Sequence, residues 1–347
     1  MIKPKHLSPG DTVAIVSLSS GLLGEPAFLH KLEIARERLE NDYGLRVRVM
    51  PNALKGIRYL ADHPEARAAD LMQAFRDPEI KAVFSAIGGD DTIRILPYLD
   101  LDVLRENPKI FTGFSDTTSN HFMLRKAGLV SYYGASIMTN FAEYGKINDY
   151  TAAMIRDTLF EPKPTLDIPS ATFYCDDSDE KVMWCEENRN QMHPYHPEEH
   201  GYELLQGAGA VEGELLGGCA EVFIELFGTS VWPTKDEWRG KLLFVETSEE
   251  NISCDLLCWI LRNFAAQGIF DVVSGILVGK PIHRSRYEPY KEVWKRVVGK
   301  EAGHPELPIL YNVNVGHTNP IGVLPIGVRC RLDADRRTVT LLEPATE

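Results

Sequence analysis

The sequence predicts a two-domain α/β protein, with a mostly parallel sheet in its first half and a smaller α/β unit in its second. Three observations carry this reading. The chain has 347 residues, more than one ordinary core holds. Short apolar strands alternate with helical periodicity through the first half, the pattern of a parallel sheet with helices on its faces. Near residue 162 the alternation stops, and a stretch with several prolines and many acids precedes a second alternating run.

Residues 11–17 form the first apolar strand, ending in Leu18-Ser19-Ser20-Gly21. The spacing of Leu29, Leu32, Ala35 and Leu39 predicts a helix over 26–43. A strand over 45–50 follows, then a polar helix over 62–77 with Leu71 and Phe75 four apart, then a buried strand over 81–87 that breaks at Gly88-Gly89. Another helix leads to Pro108 and to the strand Lys109-Ile110-Phe111-Thr112. We divide the chain into a first domain over 1–162, a connector of little regular structure over 163–206, and a second domain over 207–347. The second domain reads as strand 211–216, helix 219–227, strand 241–246, helix 253–267, strand 273–278, helix 287–298 and strand 308–314. A hairpin over 327–342, turning at Asp333-Ala334-Asp335, completes it.

Bulk properties remove several classes. A formal net charge of -13 argues against a nucleic-acid partner, which calls for clustered Lys and Arg to displace counterions. The first residues lack the apolar core of a secretion signal, and no stretch approaches the roughly 18 apolar residues of a membrane span. A cytoplasmic protein without a membrane partner is the expectation. Cys175, Cys185, Cys219, Cys254, Cys258 and Cys330 are scattered without a C-x-x-C, so they read as small buried hydrophobes.

Chemistry is concentrated where strands end, as in open α/β sheets generally. Gly113-Phe114-Ser115-Asp116-Thr117 follows an apolar strand and precedes a helix. That is the layout of a nucleophile elbow without its last glycine, although a serine there also suits a helix cap. Glu246 ends the strand Leu242-Leu243-Phe244-Val245, and His317 lies just past a strand in Asn314-Val315-Gly316-His317. A serine hydroxyl needs a base within reach, and the base needs an acid to fix its tautomer. Ser115, His317 and Glu246 are of the right types, but each has a bland alternative as a cap or a satisfied loop residue. Gly88-Gly89-Asp90-Asp91 offers half of an oxyanion hole through the Gly89 N–H, with the Asp116 N–H as the other half, or simply a tight turn. The run His193-Pro194-Tyr195-His196-Pro197-Glu198-Glu199-His200 suggests zinc, but its prolines prevent the helical face of H-E-x-x-H, so no metal is expected. Trp184 can stack on a substrate ring or pack the connector down. Arg94 is the candidate for a substrate carboxylate.

An ordered set of segments resembles the serine peptidase family of LD-carboxypeptidases and microcin C immunity proteins. It comprises Gly88-Gly89, Ile93-Arg94-Ile95-Leu96-Pro97-Tyr98-Leu99-Asp100, the serine strand and elbow from Asn107 to Thr118, and Tyr133-Gly134. Glu214-Leu215-Leu216-Gly217-Gly218-Cys219, the strand from Gly240 to Glu250, Gly316-His317 and Leu324-Pro325-Ile326-Gly327 complete it. The resemblance implies a flavodoxin- or Rossmann-like N-terminal domain, a smaller swivelling C-terminal α/β domain and a cytoplasmic homodimer without cofactor. It further implies Ser115 as nucleophile, Glu246 as acid and His317 as base. Glu246-Thr247-Ser248-Glu249-Glu250, Gly217-Gly218-Cys219 and the long acidic connector favour the immunity branch, which cleaves the amide of peptidyl- or aminoacyl-nucleotides. There a connector tryptophan, here Trp184, stacks on the base. Removal of D-alanine from murein tetrapeptides is the alternative, and a non-catalytic ligand-binding protein on the same scaffold is a third.

Overall fold

The computed structural model describes residues 1–347, the side chains of residues 177, 180 and 181 excepted. The first domain is built on β1 Thr12–Val16, β2 Arg46–Val49, β3 Ile80–Ser85, β4 Ile110–Gly113 and β5 Ser131–Tyr133. All of these pair in parallel, in the order β5-β4-β3-β1-β2. β1 is buried along its whole length and β3 nearly so, as the apolar runs of a sheet covered on both faces demand.

Further strands follow in chain order: β6 Leu166–Asp167, β7 Phe173–Tyr174, β8 His196–Pro197, β9 Glu203–Gln206, β10 Ala210–Cys219 and β11 Leu242–Glu246. The last are β12 Gly275–Gly279, β13 Ile309–Val313, β14 Leu324–Ile326, β15 Arg329–Asp333 and β16 Thr338–Leu341. The second sheet runs β6-β16-β15-β10-β11-β12-β13-β9. Its centre, β10 to β13, is parallel, and its flanks are antiparallel. The fold is therefore mixed α/β around two sheets, as expected.

Two features differ from the sequence reading. β14 leaves the second domain and pairs antiparallel with β5, closing the first sheet. The connector also carries structure of its own: β6 and β9 edge the second sheet, and β7 pairs with β8. Glu198 of the connector forms a fully buried ion pair with Lys280, just beyond β12. A buried charge persists only when paired, so this contact fastens the connector to the second sheet.

The helix Leu29–Asn41 shows why apolar spacing alone misplaces a face. Ala35 and Leu39 are fully buried, yet Leu29 is exposed while Lys31 and Arg38 are buried. Both cations point at carbonyls of the facing segment. Lys31 Nζ donates to Ala142 at 3.3 Å, and Arg38 donates to Phe141 and Glu143 at 2.6 and 3.0 Å.

Candidate active site

Ser115 stands where β4 passes into the helix Thr118–Lys126 through a single tight turn. Its φ of +65° is left-handed, a conformation that costs a non-glycine residue about 1–3 kcal/mol and marks functional turns. Two contacts hold it. The Ser115 amide donates to Tyr133 Oη at 3.1 Å, and its carbonyl accepts from Thr118 Oγ1 at 2.7 Å.

The loop after β3 closes over this turn. A Cβ on Gly88 would lie 2.7 Å from Ser115 Cβ, 2.8 Å from its Oγ and 3.2 Å from the Asp116 amide nitrogen. Only hydrogen fits there. The Asp116 side chain secures the arrangement, because its Oδ2 accepts from the amides of Asp91 and Thr92 at 3.0 and 2.8 Å and from the Ser19 hydroxyl. One carboxylate thus ties together the loops that follow β1, β3 and β4. Burial pushes the Asp116 carboxyl up, against the pull of those donors.

Glu246 is buried at the end of β11, and His317 follows β13. They lie 71 positions apart in sequence, yet His317 Nδ1 meets Glu246 Oε2 at 2.7 Å. Gly316, at φ +97°, makes the approach possible, since a Cβ there would sit 2.2 Å from Glu246 Oε2. The other Glu246 oxygen accepts from Tyr133 Oη at 2.5 Å. The imidazole packs edge-on against Phe114, the residue before Ser115, with ring centroids 5.0 Å apart. Burial alone would lower the His317 pKa. The charge and hydrogen bond of Glu246, helped by Glu249 and Glu221, outweigh it and raise the value to about 9. Glu249 Oε2 stands 3.2 Å from His317 Nε2, within ion-pairing reach but without hydrogen-bond alignment.

A cleft of about 550 Å³ joins these groups, lined by Gly88, Gly89, Ser115 and Trp184 together with Glu249 and His317. Both domains contribute to it. Trp184 packs edge-to-face on Phe28 at 6.0 Å, with the Lys31 ammonium 5.2 Å from its ring. Arg94 is not among the lining residues. Its guanidinium is tied to Asp91 and to the carbonyl of Ala61, so the proposed carboxylate anchor is spent on a local ion pair. The histidine run disperses: His193 stacks on Tyr195, His196 pairs with Asp179, and His200 stacks on Tyr287. Among the described residues, two sets bring three ligand atoms within 4.8 Å of one another, Cys219 with Glu246 and His317, and Asp176 with Asp179 and His196. An ion at the first would compete with the Glu246–His317 hydrogen bond.

Sequence reasoning missed Tyr133 and Glu249 as members of this site. Tyr133 ends the strand beside β4, so its position at a strand terminus was the available signal. Glu249 is three residues past Glu246, in the same strand-end loop.

Two sheets with a cleft lined from both halves of the chain are the architecture of the α/β hydrolases with which the chain groups by sequence. The chain belongs to the LD-carboxypeptidase family: residues 13–134 match the family's N-terminal domain and residues 212–332 its C-terminal domain. It is 29% identical to the microcin C7 self-immunity protein MccF of Escherichia coli over 288 residues, covering 80% of this chain and 78% of that one. It is 30% identical over 347 residues to a probable murein peptide carboxypeptidase of Bacillus subtilis, covering 98% and 94%. Among solved structures, an MccF-like protein from Streptococcus pneumoniae in complex with AMP superposes with a TM-score of 0.87 at 34% identity, covering 96% of this chain and 98% of that one.

Proposed function

We propose that the protein is a serine hydrolase that cleaves the amide of aminoacyl- or peptidyl-nucleotides of the microcin C type, detoxifying them. Ser115 Oγ attacks the acyl carbonyl while His317 Nε2 takes its proton, and Glu246 holds the imidazole through Nδ1. The Gly89 and Asp116 amides receive the oxyanion, and each such donor contributes about 3–4 kcal/mol to barrier lowering at comparable sites. His317 then protonates the leaving nitrogen, and water releases the acid by the reverse sequence. The observation that carries the nucleotide reading is that Trp184 lines the same cleft as Ser115 and His317, in a fold whose 34% identical neighbour holds AMP.

Release of D-alanine from murein tetrapeptides is the second reading, favoured by the near full-length match to the Bacillus subtilis protein. The proposal includes a cytoplasmic homodimer. Trp259, 63% exposed on the helix Cys254–Ala266, is an apolar side chain that a second copy would cover. Mass spectrometry after incubation with both a peptidyl-aspartyl sulfamoyl adenosine and a murein L,D-tetrapeptide tests the choice, with Ser115→Ala as control. Serine-dependent loss of the nucleoside supports the first reading, and loss of D-alanine supports the second. A wild type that changes neither substrate overturns both.

A further inference from the structure

We propose that Thr92, Asp116, Ser119 and Glu225 form a binding site for a hard divalent cation, Ca2+ or Mg2+, beside the serine turn. The ion joins the first domain to the second. This goes beyond the hydrolase reading and does not depend on it.

The first observation is a set of orphaned oxygens. Thr92 Oγ1, Asp116 Oδ1, Ser119 Oγ and Glu225 Oε2 are shielded from solvent and have no hydrogen-bond partner among the described residues. Thr92, Asp116 and Ser119 are 0% exposed as whole residues. Buried polar groups are nearly always paired, so each orphan calls for an explanation. These orphans sit on neighbouring segments. The Thr92 amide donates to the other Asp116 oxygen at 2.8 Å. Ser119 follows Asp116 by three positions, in the first turn of the helix Thr118–Lys126. That helix packs against both the segment Thr92–Tyr98 and the helix Ala220–Leu226, which carries Glu225.

The second observation is the sign of the charge. Burial raises the Glu225 carboxyl to about 7, and the charges that reinforce it, Asp116 first and then Asp90 and Asp91, are all of its own sign. The Arg67 and Arg94 guanidiniums are both paired with Asp91. Carboxylates brought together in a dry site ionise fully only with a counter-charge. Water would satisfy the hydroxyls and leave the charges opposed. A divalent ion answers both needs, because two carboxylates match its charge and hydroxyl oxygens help complete its shell. The four oxygens also make no hydrogen bonds to one another. Ligands spread round an ion behave so: at 2.3–2.6 Å from calcium, neighbouring oxygens stand roughly 3.3–3.7 Å apart. Asp116 Oδ2 already ties together loops of the first domain. Through Oδ1 and the ion, that clamp reaches Glu225 in the second.

The test is isothermal titration calorimetry of Ca2+ and of Mg2+ into the chelator-treated full chain, without substrate. At least one ion should bind saturably at one per chain. Glu225→Gln keeps the shape and removes one ligand charge, so it should weaken binding at least about tenfold. Ser119→Ala removes a neutral oxygen and should weaken it by a smaller factor. Asp149→Asn, at an acid 88% exposed, should leave it unchanged. The wild-type Tm should rise with ion concentration, as for any ligand that binds only the folded state, and the Glu225→Gln Tm should not. No saturable binding of either ion up to about 10 mM, an order beyond the weakest natural calcium modules, overturns the inference. So does a folded Glu225→Gln that binds like wild type. If Glu225→Gln does not fold, Ser119→Ala at wild-type affinity overturns it instead.

Discussion

The phenol of Tyr133 joins the two ends of the site: Oη accepts from the Ser115 amide at 3.1 Å and donates to Glu246 Oε1 at 2.5 Å. Ser115 belongs to the first sheet's domain and Glu246 to the second sheet. One fully buried side chain thus sets the left-handed serine and the acid in a common frame. Burial in a dry environment, reinforced by the Glu246 charge beside it, holds the phenol well above its ordinary pKa, so it stays a donor.

Tyr133→Phe removes that link, leaving the part-buried Ser115 amide without its acceptor and one oxygen of the buried Glu246 carboxylate without its donor. Each costs about 1–3 kcal/mol, so a lower Tm is expected. The catalytic effect should fall on kcat, with KM nearly unchanged, because the phenol lies behind the cleft and does not line it. Thermal unfolding beside steady-state kinetics checks this, and a wild-type kcat would refute the positioning role.

The state of His317 sets the pH dependence. The proposed base works when neutral, and its pairing with Glu246, Glu249 and Glu221 raises its pKa to about 9. The acid limb of kcat/KM should therefore lie near 9, not near the ordinary histidine value of about 6.5. The sign for stability is the reverse. A raised folded pKa stabilises the fold fully below about 6.5, and that contribution disappears as pH rises through 9. Glu249→Gln removes one of the raising charges and should move the kinetic limb to lower pH. A limb unmoved by that substitution would contradict the contact.

Glu246→Gln keeps the shape and removes the charge that fixes the imidazole. By analogy with acid-to-amide changes at Ser-His-acid sites, kcat should fall roughly 10³–10⁴-fold. The acid limb should drop toward or below the ordinary histidine pKa, because Glu246 is the largest of the raising influences on His317. Circular dichroism should show the fold retained.

Gly88→Ala probes the loop that covers the serine. Its Cβ would stand 2.7 Å from Ser115 Cβ, and overpacking of that kind costs about 1–3 kcal/mol when neighbours must shift. The shift falls on the serine and on the Asp116 amide, so activity should be lost far beyond the change in Tm. Fluorophosphonate labelling of Ser115 reports the damage without a substrate, and labelling at the wild-type rate would show that the loop can give way.

The individual parts were legible because strand ends mark themselves. Ser115 follows an apolar run and a glycine, Glu246 ends another, and His317 trails a third. Their meeting was not legible, because a pairing across 71 positions depends on how two sheets dock, and family resemblance supplied it instead. Tyr133 stands in the sequence only as part of Tyr133-Gly134, one of the segments that carry the resemblance, with no role attached to it, and it is buried in the structure. Arg94 was the candidate for a substrate carboxylate, and in the structure Asp91, three residues earlier, pairs with it. The return of Leu324–Ile326 to the first sheet was invisible for a different reason: three residues are too few for any period.

Trp184→Ala separates the two substrate readings. If the indole stacks on a nucleobase, its loss removes roughly 1–3 kcal/mol of binding per base, a rise in KM of about 5- to 150-fold at constant kcat. Its present partners, the edge of Phe28 and the nearby Lys31 ammonium, leave it at the wall of the cleft, where truncation widens the site without reaching Ser115 or His317. A murein tetrapeptide offers no ring to stack, so its KM should move by no more than about threefold, as for lost packing alone. Parallel KM measurements on both substrates therefore read the role of one side chain directly. A large effect confined to the nucleotide assigns the cleft to nucleotides, and equal effects on both would reduce Trp184 to a wall.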